Sequence, residues 1–148
     1  MTRNTITFIA LALFLGAPMM APGKDDDSIL RVFIFAGQSN MVGSDSKVKD
    51  IERFPPFAGL DKTQPTVRFS YSIGREKKMD SAGWVKLQAV NNVVGPELSF
   101  ARKVSRSIQA PIAIIKCAAG GTHLGGDWNP DEPTGFKMYP LALELIQA

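Results

Sequence analysis

Two short apolar runs, each ending in a glycine-bearing polar turn, constrain the fold of this chain more than any other feature. The first, residues 29–36, reads Ile-Leu-Arg-Val-Phe-Ile-Phe-Ala and enters Gly37-Gln38-Ser39-Asn40-Met41. The second, residues 112–116, reads Ile-Ala-Ile-Ile-Lys and enters Cys117-Ala118-Ala119-Gly120-Gly121-Thr122. Continuous rather than alternating runs, rich in β-branched residues, suit strands buried on both faces, as in a parallel sheet. Parallel strands need a long crossover, usually a helix, and one is written just before the second run. Gly95-Pro96-Glu97 opens it, with proline in the first turn and an acid at the positive end. Leu98, Ala101, Val104 and Ile108 recur at helical spacing, and Gln109-Ala110-Pro111 stops the pattern. Helix followed by strand is the unit of a doubly wound sheet, so the expected class is α/β with a parallel sheet.

The remaining segments fit around that frame. Residues 44–65 read as loop, punctuated by Phe54-Pro55-Pro56-Phe57 and Gln64-Pro65. Residues 66–72 alternate as an extended segment, and 84–87 form a possible short strand. The middle region is thus expected to be an elaborated loop with a small β-element. Pro140 starts a last helix through Leu141, Leu145 and Ile146. At the front, Arg3, the apolar residues 6–17 and the small residues Ala21-Pro22-Gly23 have the order of a secretory signal peptide. The apolar run falls short of the roughly 20 residues that span a bilayer. The division expected is a signal peptide at 1–23, a linker at 24–29 and one domain at 30–148. The mature protein is expected to be secreted or periplasmic and free of the membrane. With 45% hydrophobic and 21% charged residues, the chain has the balance of a globular domain rather than a disordered one. The net charge of +3 comes without a basic block interleaved with aromatics, so nucleic acid is not an expected partner. The single cysteine, Cys117, forms no intrachain disulfide and is read as buried and inert.

In open α/β sheets, ligands bind beyond the carboxyl ends of the strands. Ser39 stands at one such end, Gly120 and Gly121 at another. If the strands are neighbours, a hydroxyl nucleophile and unshielded backbone amides converge, which is the pairing that ester hydrolysis needs. Read locally, Ser39 fits equally well as a helix cap and Gly120-Gly121 as a simple turn. The element is not the G-x-S-x-G elbow, because Met41 stands at its last position.

The element Phe35-Ala36-Gly37-Gln38-Ser39-Asn40-Met41 resembles the opening signature of the sialate O-acetylesterase family, which has the SGNH-hydrolase fold and includes acetylxylan esterases. Gly95-Pro96-Glu97 with Phe100-Ala101 resembles its next landmark. Ile114-Ile115-Lys116 with Gly120-Gly121-Thr122, then Leu124 and Trp128, resembles a third. The resemblance implies a flavodoxin-like three-layer sandwich and a serine esterase that removes O-acetyl groups from carbohydrates through an acyl-serine. It implies Ser39 as nucleophile, and the amides of Ser39 and of Gly120 or Gly121 as oxyanion donors. Gln38, Asn40 and Glu97 would be supporting residues. The implied partner is an acetylated sugar or polysaccharide, and no metal or organic cofactor is implied.

The family's Asp-x-x-His pair, and the Gln-Gly-Glu element before it, lie far downstream and do not occur in these 148 residues. The chain is therefore expected to be the N-terminal portion of such an enzyme, incomplete at its C-terminus. The alternatives are a carbohydrate-binding remnant without turnover, or a half-enzyme that a second chain completes. The only histidine, His123, follows the glycine turn but has Gly120, not aspartate, three positions before it. It remains a possible base, or a metal ligand with Asp127 and Asp131. Trp84, Trp128, Phe136 and Tyr139 are candidates to line a sugar site or to fill the core.

Overall fold

The computed structural model describes residues 29–132 and 134–148; the expected signal peptide and most of the expected linker lie outside them. In chain order the elements are β1 (Arg31–Gly37), α1 (Ser39–Val42), β2 (Gln64–Ile73), β3 (Met79–Asp80), β4 (Val85–Leu87), α2 (Pro96–Val104), β5 (Ile112–Ala118) and α3 (Met138–Gln147). They build one open, five-stranded sheet in the order β1-β5-β2, with β3 and β4 on the far side of β2. β5 runs parallel to both β1 and β2, while β3 and β4 are antiparallel to β2.

The alternation of side chains along β5 divides the core between two faces. Ile112 and Ile114 face one way. They join Val67 and Phe69 of β2, and Leu98 and Ala101 of α2, in the larger cluster. Phe100 of α2 sets its ring edge-on to Phe33 and Phe35 of β1, at 4.9 and 5.2 Å between centroids. Cys117 faces the other way and packs with Met138 and Ala142 of α3. Helices therefore cover opposite faces of a mostly parallel, open sheet. This is the α/β class with a parallel sheet that the two apolar runs predicted. Every residue of β5 is buried, as a continuous apolar run requires. No helix of the described residues is long and apolar enough to cross a membrane.

Two expectations need correcting. β1 is not buried on both faces: Val32 and Ile34 are 47% and 53% exposed, although Phe33 and Phe35 pack under α2. Among the described residues β1 pairs with β5 alone, and no element covers the face that carries Val32 and Ile34. Nor is the middle region only a loop with a small β-element. Residues 64–73 form a full strand of the main sheet, paired with β5 from Val67↔Ile112 to Ile73↔Ala118. The interleaved Arg68, Ser70 and Ser72 disguised it. One side of the strand feeds Val67 and Phe69 into the larger cluster, and Ser70 and Ser72 lie buried on the other. The segment before it coils into 3₁₀ turns over residues 48–53 and 55–57. Arg102 of α2 clamps that coil by donating to the carbonyls of Pro56 and Ala58, at 2.6 and 2.7 Å.

Candidate active site

The end of β1 sets the position of Ser39. Gln38 caps the four-residue helix α1, Ser39 is its first residue, and Gly43 closes it in the left-handed region at φ 85°. Ser39 is partly exposed. Its backbone N–H and its hydroxyl both donate to Oε1 of Gln38, at 2.9 and 2.6 Å. The Ser39 amide is therefore engaged in this structure, and it can meet an oxyanion only after the exposed Gln38 side chain swings away.

The end of β5 sets the glycine turn. β1 and β5 are hydrogen-bonded neighbours with Gly37 opposite Ala118, and the Ala119 N–H donates to the Gly37 carbonyl at 3.1 Å. The Ser39 turn and the Gly120–Gly121 turn therefore leave the sheet side by side. Both glycines are exposed, and neither amide donates to another described backbone group. A third strand end supports them. Gly74, after β2, donates to the Ala118 carbonyl at 2.8 Å. Arg75 stacks on the Phe136 ring, 4.0 Å from its centroid, and donates to the Gly121 carbonyl at 3.3 Å.

Beneath α1 lies a group that the sequence reading passed over. Lys116 is on β5 in register with Phe35 and Tyr71, on the face covered by α2. Its ammonium donates to Oε2 of Glu97 at 2.7 Å and to the carbonyl of Val42 at 3.3 Å. The two charged side chains are only 1% and 2% exposed. Burial pushes the Lys116 pKa down, and the adjoining carboxylate opposes the shift. The signal was present: a lysine inside a run whose neighbours are all buried must have a partner. Glu97, in the first turn of α2, is thus held in an ion pair, whereas Gln38 and Asn40 stand on the surface.

The other candidates are placed elsewhere. His123 is exposed; its ring lies over Gly126, with Nε2 3.8 Å from Asp127. The Ser39 hydroxyl bonds to Gln38, and no hydrogen bond joins it to His123 among the described residues. No group of three or more His, Cys, Asp or Glu side chains is placed to hold a metal ion there. Cys117 is fully buried, which raises its pKa to about 11, so its thiol stays protonated at neutral pH. Trp128 packs beside α3 and donates its indole N–H to Thr122 at 3.1 Å, and Phe136 lies under Arg75.

Asp127 organises the loop after the glycine turn. Its carboxylate accepts the N–H groups of Phe136 and His123, at 2.9 and 3.0 Å, and these bonds hold its pKa below the usual range. A carboxyl whose folded pKa is depressed stabilises the fold above its unfolded value, about 3.9, and loses that effect as pH falls through the folded value. Protection of the amides at 122–132 and 134–136, taken relative to their intrinsic exchange rates, is therefore expected to persist at pH 4 and to fall only below it. Asp127→Ala should show the lowered protection already at pH 7. A wild-type loop that loosens well above pH 4 would contradict this account.

A cleft of about 520 Å³ opens beside Asn40, between the coil at 43–60 and the start of α2. Phe54 and Phe57 present exposed rings to it, with Asp45, Asp50 and Ser99 nearby. The Arg102 clamp holds its outer wall.

Comparison with known proteins bears on the family and the fold. The sequence profile of the family described as "Carbohydrate esterase, sialic acid-specific acetylesterase" matches residues 29–148. A protein of Arabidopsis thaliana solved at 1.6 Å has a similar fold, with a TM-score of 0.53 at 21% identity. The similarity covers 79% of this chain and 50% of the plant protein, so the present chain spans about half the length of that relative. No curated protein matches the sequence.

Proposed function

The chain belongs to the carbohydrate esterase family of sialic acid-specific acetylesterases, and from that premise we propose that it carries the nucleophile and oxyanion half of a serine O-acetylesterase site. The observation that supports this most directly is the parallel register of β1 and β5, in which Gly37, two residues before Ser39, lies opposite Ala118, two residues before Gly120. In the reaction, Ser39 Oγ bonds to the acetyl carbonyl carbon while its proton passes to a base. The carbonyl oxygen becomes an oxyanion that the glycine amides receive. The C–O bond to the sugar then breaks, and the departing oxygen takes the proton back from the base. Water, deprotonated by the same base, attacks the acetyl carbon of acetyl-Ser39; the Oγ–C bond breaks, Ser39 Oγ takes the proton from the base, and acetic acid leaves, ionising to acetate. Amides fixed before the reaction are worth about 10²–10³ in rate for each donor. The cleft beside Asn40 suits the sugar. It is of the size usual for small-molecule sites, roughly 300–1,000 Å³, and sets two aromatic faces among hydrogen-bonding groups.

His123 is turned to Asp127, and the base of the proposed reaction is a group outside these 148 residues, on further polypeptide of the same protein or on a second chain. We infer from the leader-like residues 1–23 that the protein works outside the cytoplasm. The test is to incubate the chain, alone and joined to whatever follows it in its reading frame, with an acetylated oligosaccharide. Free acetate and acetyl-Ser39 are then measured by peptide mass spectrometry. Turnover is expected only in the longer form, and His123→Ala should not change it. Equal turnover by the short form, lost in His123→Ala, would reassign the base to His123. Sugar binding with no acetyl transfer in either form would leave a binding module instead.

A further inference from the structure

Resting on the esterase reading, we propose that Lys116 is a positioning residue for the nucleophile: its buried ammonium holds the Ser39 turn in register with the glycine turn by gripping the carbonyl of Val42. α1 has only four residues, so few of its backbone groups find partners within it. The Val42 carbonyl points down to Lys116 at 3.3 Å, from the last residue of the helix that begins with Ser39. Lys116 belongs to β5, the same strand that ends in Gly120 and Gly121. One side chain therefore links the element bearing the hydroxyl to the element bearing the amides. Glu97, 2.7 Å away, keeps the ammonium charged and aimed.

The surroundings are built for this contact. A β-carbon on Gly95 would fall on both the Glu97 carboxylate and the Lys116 ammonium. A β-carbon on Gly43, the cap of α1, would lie 2.8 Å from both the Gly95 Cα and the Val94 carbonyl. The floor of the turn, the cap of the turn and the start of α2 thus meet without room for a side chain. A buried ion pair seldom adds stability over an apolar pair of similar volume, so a link to the nucleophile is the better account of why a charge is buried here.

That contrast supplies the test. Lys116→Met/Glu97→Leu removes both charges and nearly conserves volume. Its unfolding midpoint is expected to stay close to that of the parent. The amides of Val42, Gly43 and Ser44 donate to Gln38 and Ser39. They should exchange about tenfold faster or more, as expected when one charged hydrogen bond is lost. In the active form kcat should fall by a similar or larger factor with KM little changed. A folded double variant that keeps parental exchange at residues 42–44, or parental kcat, overturns the proposal. If the double variant does not fold, Lys116→Gln/Glu97→Gln withdraws the ammonium while leaving a neutral hydrogen-bonding pair, and the same readouts decide. The exchange measurement does not need catalysis. Fast exchange in a protein that never acetylates Ser39 would sink the esterase reading while leaving the Lys116 clamp standing.

Discussion

Ser39→Ala is expected to lower acetyl release by about 10³-fold or more in kcat, with little change in unfolding midpoint. The two parts of this expectation have separate causes. In the proposed reaction the hydroxyl is the atom acylated, and the thiol of the chain's one cysteine is no substitute for it. Cys117 is fully buried with a raised pKa. Stability is spared because the Ser39 hydroxyl donates only to the exposed Gln38 side chain, and such surface contacts change stability by about 0.5 kcal/mol or less. The helix cap is spared too, because the oxygen that accepts the Ser39 amide belongs to Gln38. Binding of the deacetylated oligosaccharide, measured by calorimetry, should persist in the variant. Turnover that survives Ser39→Ala at more than a tenth of the parental rate would refute the assignment of the nucleophile. A variant that fails to fold would refute the claim that its hydroxyl is structurally dispensable.

Gly95→Ala is expected to lower stability by about 3–5 kcal/mol, the range for disrupting a buried ion pair. The new β-carbon would occupy the space of the Glu97 carboxylate and the Lys116 ammonium. Neither group can move into water, since both side chains are nearly fully buried. Nor can the backbone retreat, because Gly43 already packs against Gly95. Against a typical total of about 5–15 kcal/mol, this is a large share, and the unfolding midpoint should drop by roughly 10 °C or more. Gly125→Ala is the control. It has open space around its added carbon and no positive φ, so about 0.5 kcal/mol or less is expected. Comparable losses for the two variants would show that the ion pair yields easily and that the packing around it is not tight.

Much of the fold was legible from local pattern. The run before Ser39 and the run before Gly120 are strands because apolar β-branched stretches of that length are otherwise hard to bury. α2 starts at Pro96 because proline fixes the first turn. Its end was less legible: Ile108 continues the apolar spacing, yet the regular helix stops at Val104 and gives way to looser turns. β2 was misjudged because Ser70 and Ser72 are buried, and a polar residue inside a sheet looks in sequence like one facing water. Of the candidate site, Ser39 and the two glycines stood out as a hydroxyl and bare amides at strand ends, a pattern that a cap and a turn share, and the family resemblance favoured the site reading. For Lys116 the sequence signalled only that a partner must exist, not which one, because Glu97 and Val42 lie 19 and 74 residues away.

The sequence by itself determined that β1, α2, β5 and α3 become strand and helix, and that β1 and β5 lead into a serine and a glycine pair, because backbone preference and side-chain period are local properties. It also determined the family, through short elements that keep their order along the chain. Tertiary structure alone decided that β5 lies between β1 and β2, that the serine and glycine turns are neighbours, and that a buried ammonium ties one to the other. Those outcomes depend on pairing between distant strands and on which polar groups are shut away from water together, and both are set only when the whole sheet closes on its helices.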